Sequence, residues 1–278
     1  MEEDKDHAVF CMLTRTLYTL ESHVSIAFGR PSLLVVGDDL RRELVQRTTS
    51  TQAEQISISS YLISLLKLQI HNTILQHHNK PTTTTTTLAL SHETTPTLRS
   101  TCETYRQTLD SWSATWQQST TSSSPTTSPA SKDALLAWGS LHHHHALSLI
   151  TTLWPTPGGN ALTICGGVSQ AALQLLRHQQ VFANLAYEEA KVGAPLPAEE
   201  EVLIFPFDWT MSHLVFQAGL RAMGEKDTTL LPTSEKNPAQ CPPLQQCFSM
   251  LLLLEADASK LLRGQSLVFE ALSEKINM

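Results

Sequence analysis

The sequence has few charged residues, and its acidic residues outnumber its basic ones. Charged side chains make up 16% of the 278 residues, and the net charge is −7 at pH 7. Nucleic-acid binding depends on a basic surface that contacts phosphates. We therefore expect no direct DNA binding by this chain alone.

Closely spaced cysteines are also absent. The five cysteines are Cys11, Cys102, Cys165, Cys241 and Cys247, and none belongs to a Cys-x-x-Cys pair. Structural zinc sites usually contain such pairs, so the sequence predicts no metal site and no cofactor. The odd number and wide spacing fit reduced thiols in the cytosol or nucleus.

The sequence lacks a long apolar run and the common catalytic motifs. The apolar run from Met250 to Leu254 is far shorter than the roughly 20 residues of a membrane-spanning helix. There is no Gly-x-Ser-x-Gly elbow, and no Lys-Ser/Thr pair follows the glycine pairs, as a phosphate-binding loop requires. We expect no membrane insertion, no catalytic residue and no enzyme.

Helical spacing of apolar residues recurs along most of the chain, and no period-two alternation is long enough to predict a strand. The predicted fold class is all-α, an irregular bundle of about seven helices joined by polar Thr/Ser/Pro-rich loops, in a single domain over residues 1–278. The composition predicts flexible loops at about 80–93 and 119–131. Longer helices are predicted at 7–28, 51–78, 95–118, 133–153, 161–190, 205–223 and 244–273, with a short helix, capped by Asp38 or Asp39, that ends near Gln46.

The first helix is followed by a Gly-Arg-Pro turn. Gly29 suits a left-handed helix cap, and Pro31 pushes Arg30 out of the helical region. We expect Arg30 to be at least half buried, because a buried arginine needs acceptors. These would be a carboxylate, with Glu21 and Asp38 as candidates, or several backbone carbonyls.

The residues around this turn resemble a family signature. Leu17-Tyr18-Thr19-Leu20-Glu21, then Ser25, then Phe28-Gly29-Arg30-Pro31 resembles the signature of the middle homology region of fungal zinc-cluster transcription factors. Phe28 stands where the family usually has leucine, and Glu21 where it has aspartate. Later segments, such as Leu109-x-x-Trp112, resemble the family in the same order. The resemblance implies a structural role for Glu21, Ser25, Gly29, Arg30 and Pro31.

The resemblance also implies a function. It predicts a nuclear transcription-regulatory domain, the C-terminal part of the middle homology region, without the family's DNA-binding zinc cluster. The chain would be either part of a longer regulator or a stand-alone relative, with a possible small-molecule effector. An alternative is a helical protein that binds an effector or metabolite, and an enzyme on the same scaffold is a distant third.

Four consecutive histidines, His142–His145, are the most conspicuous polar cluster. Successive helical residues point about 100° apart, so only His142 and His145 share a face. They lack a third ligand at helical spacing, and the run is predicted to be a half-buried part of a helix.

The resemblance predicts association as well. The family's regulatory region normally begins well before the turn, so Phe10, Leu13, Leu17 and parts of the helix from Tyr61 to Leu75 would lack packing neighbours. An exposed apolar patch of this kind usually marks an interface. We expect the chain to self-associate or to bind another transcription regulator through its first helix.

Overall fold

The computed structural model describes residues 2–34, 37–46, 51–78, 94–121, 129–154, 161–192, 209–224 and 242–256. These residues contain helices and no strand, which confirms the all-α fold class. The eight helices are α1 Glu2–Ala27, α2 Asp38–Val45, α3 Gln52–His78, α4 Thr94–Thr121, α5 Pro129–Leu153, α6 Ala161–Val192, α7 Trp209–Gly224 and α8 Pro242–Ala256. None of them is apolar enough over a sufficient length to cross a membrane.

The short helix α2 begins differently from the prediction. Its N-cap is Gly37, and Asp38 and Asp39 lie inside the first turn rather than at the cap, so the predicted aspartate cap is wrong. Their carboxylates face Arg41 and Arg42 one turn later, at 3.9 and 3.0 Å. Acidic groups in the first turn still interact favourably with the helix dipole.

Both ends of the predicted loop at 119–131 are helical, because α4 continues to Thr121 and α5 begins at Pro129. Residues 122–128 lie outside the described residues. Proline is well tolerated in the first helical turn, where its missing N–H has no intrahelical partner. The predicted loop at about 80–93 and the end of the last predicted helix, after Ala256, lie outside the described residues.

The helices pack into two compact units, and the single domain over residues 1–278 stays a prediction. The first unit comprises residues 1–119 with 149–155, and the second comprises 120–148 with 156–278.

In the first unit, α1 packs along α3, and α2 contacts both helices. The buried cluster between them contains Cys11, Tyr18, Leu44, Tyr61 and Leu68. The rings of Tyr18 and Tyr61 meet edge to face, with centroids 5.2 Å apart. Such aromatic pairs contribute about 1 kcal/mol beyond the burial of their area.

The face of α1 that packs is not its most apolar face. Cys11, Tyr18 and Ile26 are buried, whereas Phe10, Leu13, Leu17 and Leu20 are 48–61% exposed. The predicted exposure of apolar residues on the first helix is therefore confirmed.

For parts of the helix from Tyr61 to Leu75 the same prediction is confirmed at Leu62, which is 36% exposed, and is wrong for the buried residues of that helix. Tyr61, Ile63, Leu68 and Ile70 are buried. Tyr61 and Leu68 belong to the cluster that α3 forms with α1 and α2.

A buried arginine joins α1 to the end of α2. The Nε of Arg15 donates to the carbonyl of Leu44 at 2.7 Å, and Nη2 donates to the carbonyl of Gln46 at 3.2 Å. Its Nη1 lies 3.9 Å from the carboxylate of Glu54 in α3. Cations are favourable at a helix C-terminus, where carbonyl groups lack intrahelical partners.

In the second unit, α6 packs against α7 and α8, which also contact each other. Cys165, Val168, Ala172 and Leu175 recur at helical spacing on α6 and are all fully buried. Gly167 allows a close approach to the ring of His144 in α5, since a Cβ at this position would lie 2.4 Å from that ring.

Candidate functional site

The turn after α1 has the geometry of a Schellman motif. Gly29 has φ 62°, in the left-handed region that glycine adopts at low cost. The Arg30 N–H donates to the carbonyl of Ser25 at 3.0 Å, and the Gly29 N–H donates to the carbonyl of Ile26 at 3.3 Å. These two bonds satisfy carbonyls that the helix leaves unpaired at its end. The predicted left-handed cap at Gly29 is confirmed.

This turn brings Arg30 back over Glu21. Nη1 and Nη2 of Arg30 donate to Oε1 and Oε2 of Glu21 at 3.0 and 3.1 Å. Oε1 also accepts from Ser25 Oγ at 3.0 Å and from the Leu33 N–H at 2.7 Å. We call this group, Glu21 with Ser25, Arg30 and Leu33, the Glu21 clasp. Ser25 takes part because it follows Glu21 by four residues and therefore lies on the same helix face.

The clasp holds Glu21 in its ionised form. The two hydrogen bonds from Arg30 are the largest cause, and those from Leu33 and Ser25 add to it, so that the pKa of Glu21 falls to about 2 against the opposing effect of burial. The side chains of Glu21 and Arg30 are 15% and 32% exposed. Arg30 is therefore more than half buried and pairs with a carboxylate, as expected, and Glu21 is the partner. The other candidate, Asp38, faces Arg41.

Two further hydrogen bonds fix the end of α1 on α3. His71 Nε2 lies 3.2 Å from the Arg30 carbonyl, and because a carbonyl only accepts, Nε2 carries the proton. Burial lowers the pKa of His71, with the Arg30 carbonyl opposing, which favours a neutral ring. Ser22 Oγ donates to the carbonyl of Ser64 at 3.1 Å. The turn is thus tied to two helices.

An open groove of about 460 Å³ lies beside the clasp. Its lining residues are Tyr18, Pro31, Ser32, Leu34, Arg41, Leu68, Asn72, Leu75 and Gln76. The walls are partly apolar, and the guanidinium of Arg41 provides a cation. Two buried polar atoms, Nε of the groove residue Arg41 and Oη of the cluster residue Tyr61, have no hydrogen-bond partner within the part of the chain that is described. The groove could accept a small molecule that combines an apolar body with an acidic group.

The five signature residues lie together at this turn. Glu21, Ser25 and Arg30 form the clasp, Gly29 supplies the left-handed cap, and the carbonyl of Pro31 accepts from Arg30 Nη1 at 3.1 Å. Arg30 is engaged by several acceptors and Glu21 stays ionised at neutral pH. This arrangement suits the clasp to hold a turn, rather than to transfer a proton.

The pairing of a buried lysine with a histidine was missed at the sequence level. Lys67 in α3 is completely buried, and its Nζ lies 3.2 Å from Nε2 of His23 in α1. Burial lowers the pKa of Lys67 to about 7. Burial also holds the pKa of His23 well below its usual value, and the nearby charge of Lys67 lowers it further. A lone lysine between Leu66 and Leu68 was the available signal, but its partner could not be found without the packing of α1 on α3.

The histidine run lies within α5. His142 and His145 are both buried, as two residues on one face should be. His144 Nδ1 lies 2.8 Å from the carbonyl of Ser140, and the ring of His142 packs on Trp138 at 4.2 Å. No ligating side chain in the described ranges completes a three-ligand metal site with them.

Comparisons with known proteins give no relative: no family model, no curated protein and no solved structure matches the chain. The resemblance to the middle homology region therefore depends on the signature residues and on the order of the later segments. Within the signature, the geometry of the Glu21 clasp gives each polar residue a specific role.

Proposed function

We propose that this chain is a nuclear transcription-regulatory domain of the kind found in fungal zinc-cluster transcription factors, without their DNA-binding zinc cluster. The observation that carries the proposal is the Glu21 clasp. The polar residues that produce the resemblance are the ones that join into one hydrogen-bonded unit, with Glu21 accepting from Arg30, Ser25 and Leu33.

The clasp suggests how such a domain would work. It fixes the C-terminal end of α1, and through His71 and Ser22 it fixes that end on α3. The clasp thereby fixes the position of the exposed apolar stripe of α1, formed by Phe10, Leu13, Leu17 and Leu20. It also fixes the position of the groove lined by Pro31 and Leu34. The domain would regulate transcription by presenting surfaces to partners or effectors, without chemistry of its own.

The partner that we propose for the α1 stripe is a second copy of this chain. Phe10, Leu13, Leu17 and Leu20 are spaced three, four and three residues apart, which is the spacing of a coiled-coil seam. Thr14 and Thr16, which flank the seam, are uncharged, so like-charge repulsion at these positions does not oppose pairing of two identical helices. Another transcription regulator in place of the second copy is the alternative outcome of the same test.

A tethering experiment tests the function. The full chain is fused to a DNA-binding module that has no activity of its own, and a reporter gene carrying the module's site is placed in fungal cells. The proposal predicts nuclear accumulation and a level of transcription that differs from that of the module alone. A fusion that enters the nucleus and occupies the site but leaves transcription unchanged would contradict it.

The groove supports a second candidate function, the binding of a small acidic effector. Arg41 would pair with the acidic group, and Leu68 and Leu75 would contact the apolar body. The test is a thermal-shift screen of the whole chain with small carboxylic acids, comparing Arg41→Gln with the exposed Arg42→Gln. A stabilisation lost only in Arg41→Gln supports binding in the groove, and no stabilisation by any acid argues against this candidate.

A further inference from the structure

A histidine, a cysteine and a glutamate meet where α1 contacts α2, about three helical turns before the clasp. His7 and Cys11 are one turn apart on α1, and His7 Nε2 lies 3.7 Å from Cys11 Sγ. Glu43 comes from α2, and its Oε1 lies 3.3 Å from His7 Nε2. The three ligand atoms all lie within 4.8 Å of one another.

The two separations that involve His7 match edges of a tetrahedral metal site. Zinc binds histidine nitrogen at about 2.05 Å, carboxylate oxygen at about 2.0 Å and cysteine sulfur at about 2.3 Å. At the tetrahedral angle, those bonds place nitrogen and oxygen about 3.3 Å apart, and nitrogen and sulfur about 3.6 Å apart. The observed 3.3 and 3.7 Å match these two edges. The sulfur–oxygen edge of such a site is about 3.5 Å. Cys11 Sγ and the Glu43 carboxylate lie within 4.8 Å of each other, and the half-exposed Glu43 side chain can rotate to close this edge.

We propose that His7, Cys11 and Glu43 bind one divalent ion of the zinc type, with water as the fourth ligand. Thiolate, imidazole and carboxylate together suit borderline ions such as Zn²⁺ and Co²⁺, and they suit Mg²⁺ or Ca²⁺ poorly because those ions prefer oxygen ligands. Three protein ligands with one open position are a common arrangement for zinc.

The surroundings of the cluster are compatible with a cation. Cys11 is fully buried, and burial raises the pKa of its thiol, with Arg15 opposing and with Glu43 and Glu54 adding to the rise. When the ion binds, the S–H bond breaks, the sulfur–metal bond forms and the proton leaves to solvent. Arg15 is the nearby positive group, and it is already engaged by two carbonyl groups and by Glu54.

The site would join the two helices that carry it. The bound ion would link α1 to α2 through His7 and Glu43, which are 36 residues apart in the sequence. The absence of Cys-x-x-Cys led to the expectation of no metal, which this proposal reverses. The signal in the sequence was the pair His7-x-x-x-Cys11, whose helical spacing brings two ligands to one face.

Cobalt titration of the whole chain tests the proposal, because a cobalt–thiolate bond gives a charge-transfer absorption that binding through histidine alone does not. One equivalent of Co²⁺ should produce this band together with the visible bands of a tetrahedral ion, and Zn²⁺ should remove both. His7→Gln and Glu43→Gln should each weaken binding by at least about tenfold, since loss of an outer-shell partner alone has an effect of that size. Cys11→Ser should abolish the charge-transfer band.

Matched controls separate this site from other thiols and histidines. Cys102→Ser removes another buried thiol, and His77→Gln removes an exposed histidine. The double variant His142→Gln, His145→Gln removes the histidine pair of α5. All three should keep the thiolate band. His7 and Glu43 are 43% and 41% exposed, so their variants should keep the helical circular dichroism of the parent chain. A thiolate band unchanged in Cys11→Ser, or no stoichiometric cobalt binding by the folded parent, would overturn the proposal.

Discussion

Arg30 donates to both carboxylate oxygens of Glu21, at 3.0 and 3.1 Å, although the two residues are nine positions apart. The contact exists because Gly29 reverses the chain in a left-handed conformation directly after α1. A helix end, a glycine and an ion pair thus depend on each other.

We predict that Arg30→Ala destabilises the first unit. The change leaves the carboxylate of Glu21 without its main partner, so the free energy of unfolding should fall by about 2 kcal/mol, less than for a fully buried pair because the guanidinium is partly exposed. Urea unfolding followed by tryptophan fluorescence measures the change, since Trp112 and Trp116 are buried in this unit.

Arg42→Ala is the matched control, because Arg42 pairs with the highly exposed Asp39 and should contribute less than about 0.5 kcal/mol. Equal unfolding midpoints for Arg30→Ala and the parent chain would show that the clasp does not stabilise the turn.

The clasp also predicts a dependence of stability on acid. The pKa of Glu21 is about 2 in the folded chain and has an ordinary value of 4.5, so its contribution is fully present above pH 4.5 and is lost as the pH falls through about 2. As the pH falls through this interval, the free energy of unfolding should fall more in the parent than in Glu21→Gln, which lacks the titrating carboxylate. The measurement is the urea midpoint from pH 6 to pH 2 in both chains, and parallel curves would contradict the assignment.

Lys67 predicts that the free energy of unfolding also rises with pH, here between neutral and alkaline pH. The pKa of Lys67 falls from its usual 10.5 to about 7 on folding, so the unfolded state binds the proton more tightly than the folded state does. Between these two values this residue should raise the free energy of unfolding with pH, by at most about 1.4 kcal/mol per pH unit. Lys67→Met should therefore stabilise the chain near pH 7, and the gain should shrink toward pH 10.

Lys67→Arg provides the comparison, because a guanidinium keeps its charge throughout this pH range. It should destabilise the chain without the rise between pH 7 and pH 10. A parent and a Lys67→Met variant that differ by the same amount at every pH would show that the ammonium does not lose its proton on folding.

The apolar stripe of α1 predicts self-association. The double change Leu13→Asp, Leu17→Asp places two charges in the seam and should shift the parent toward the mass of a monomer, as measured by light scattering after gel filtration. Leu136→Asp alters an exposed leucine on α5 and should leave the mass of the parent unchanged. A monomeric parent at high concentration would leave another regulator as the partner to be sought.

Much of the fold follows from local sequence. Spacing of apolar residues and the positions of glycine and proline predict the helices, and Gly29 with Pro31 predicts the turn after α1. The packed face of α1 does not follow in the same way, because apolar residues lie on both sides: Leu13 and Leu17 are exposed, while Tyr18 and Ile26 are buried. The spacing of apolar residues therefore does not show which face of α1 is buried, and contact with α3 determines it.

The candidate site shows the same division. The pairing of Arg30 with an acid could be expected, because a turn after a helix brings its residues back over that helix. The contacts of Arg15 with Leu44, of Lys67 with His23 and of His7 with Glu43 join residues 29, 44 and 36 positions apart. These contacts depend on how α1, α2 and α3 pack, and no local pattern encodes that packing.

The central claim is that the Glu21 clasp supports a transcription-regulatory surface, and the most direct measurement is reporter transcription by the tethered chain with and without the clasp. At equal protein levels and occupancy of the reporter site, the parent and Arg42→Ala should give the same transcription, different from that of the DNA-binding module alone. Arg30→Ala should return transcription to the level of the module. Transcription by Arg30→Ala equal to that of the parent, or a parent no different from the module, would contradict the account.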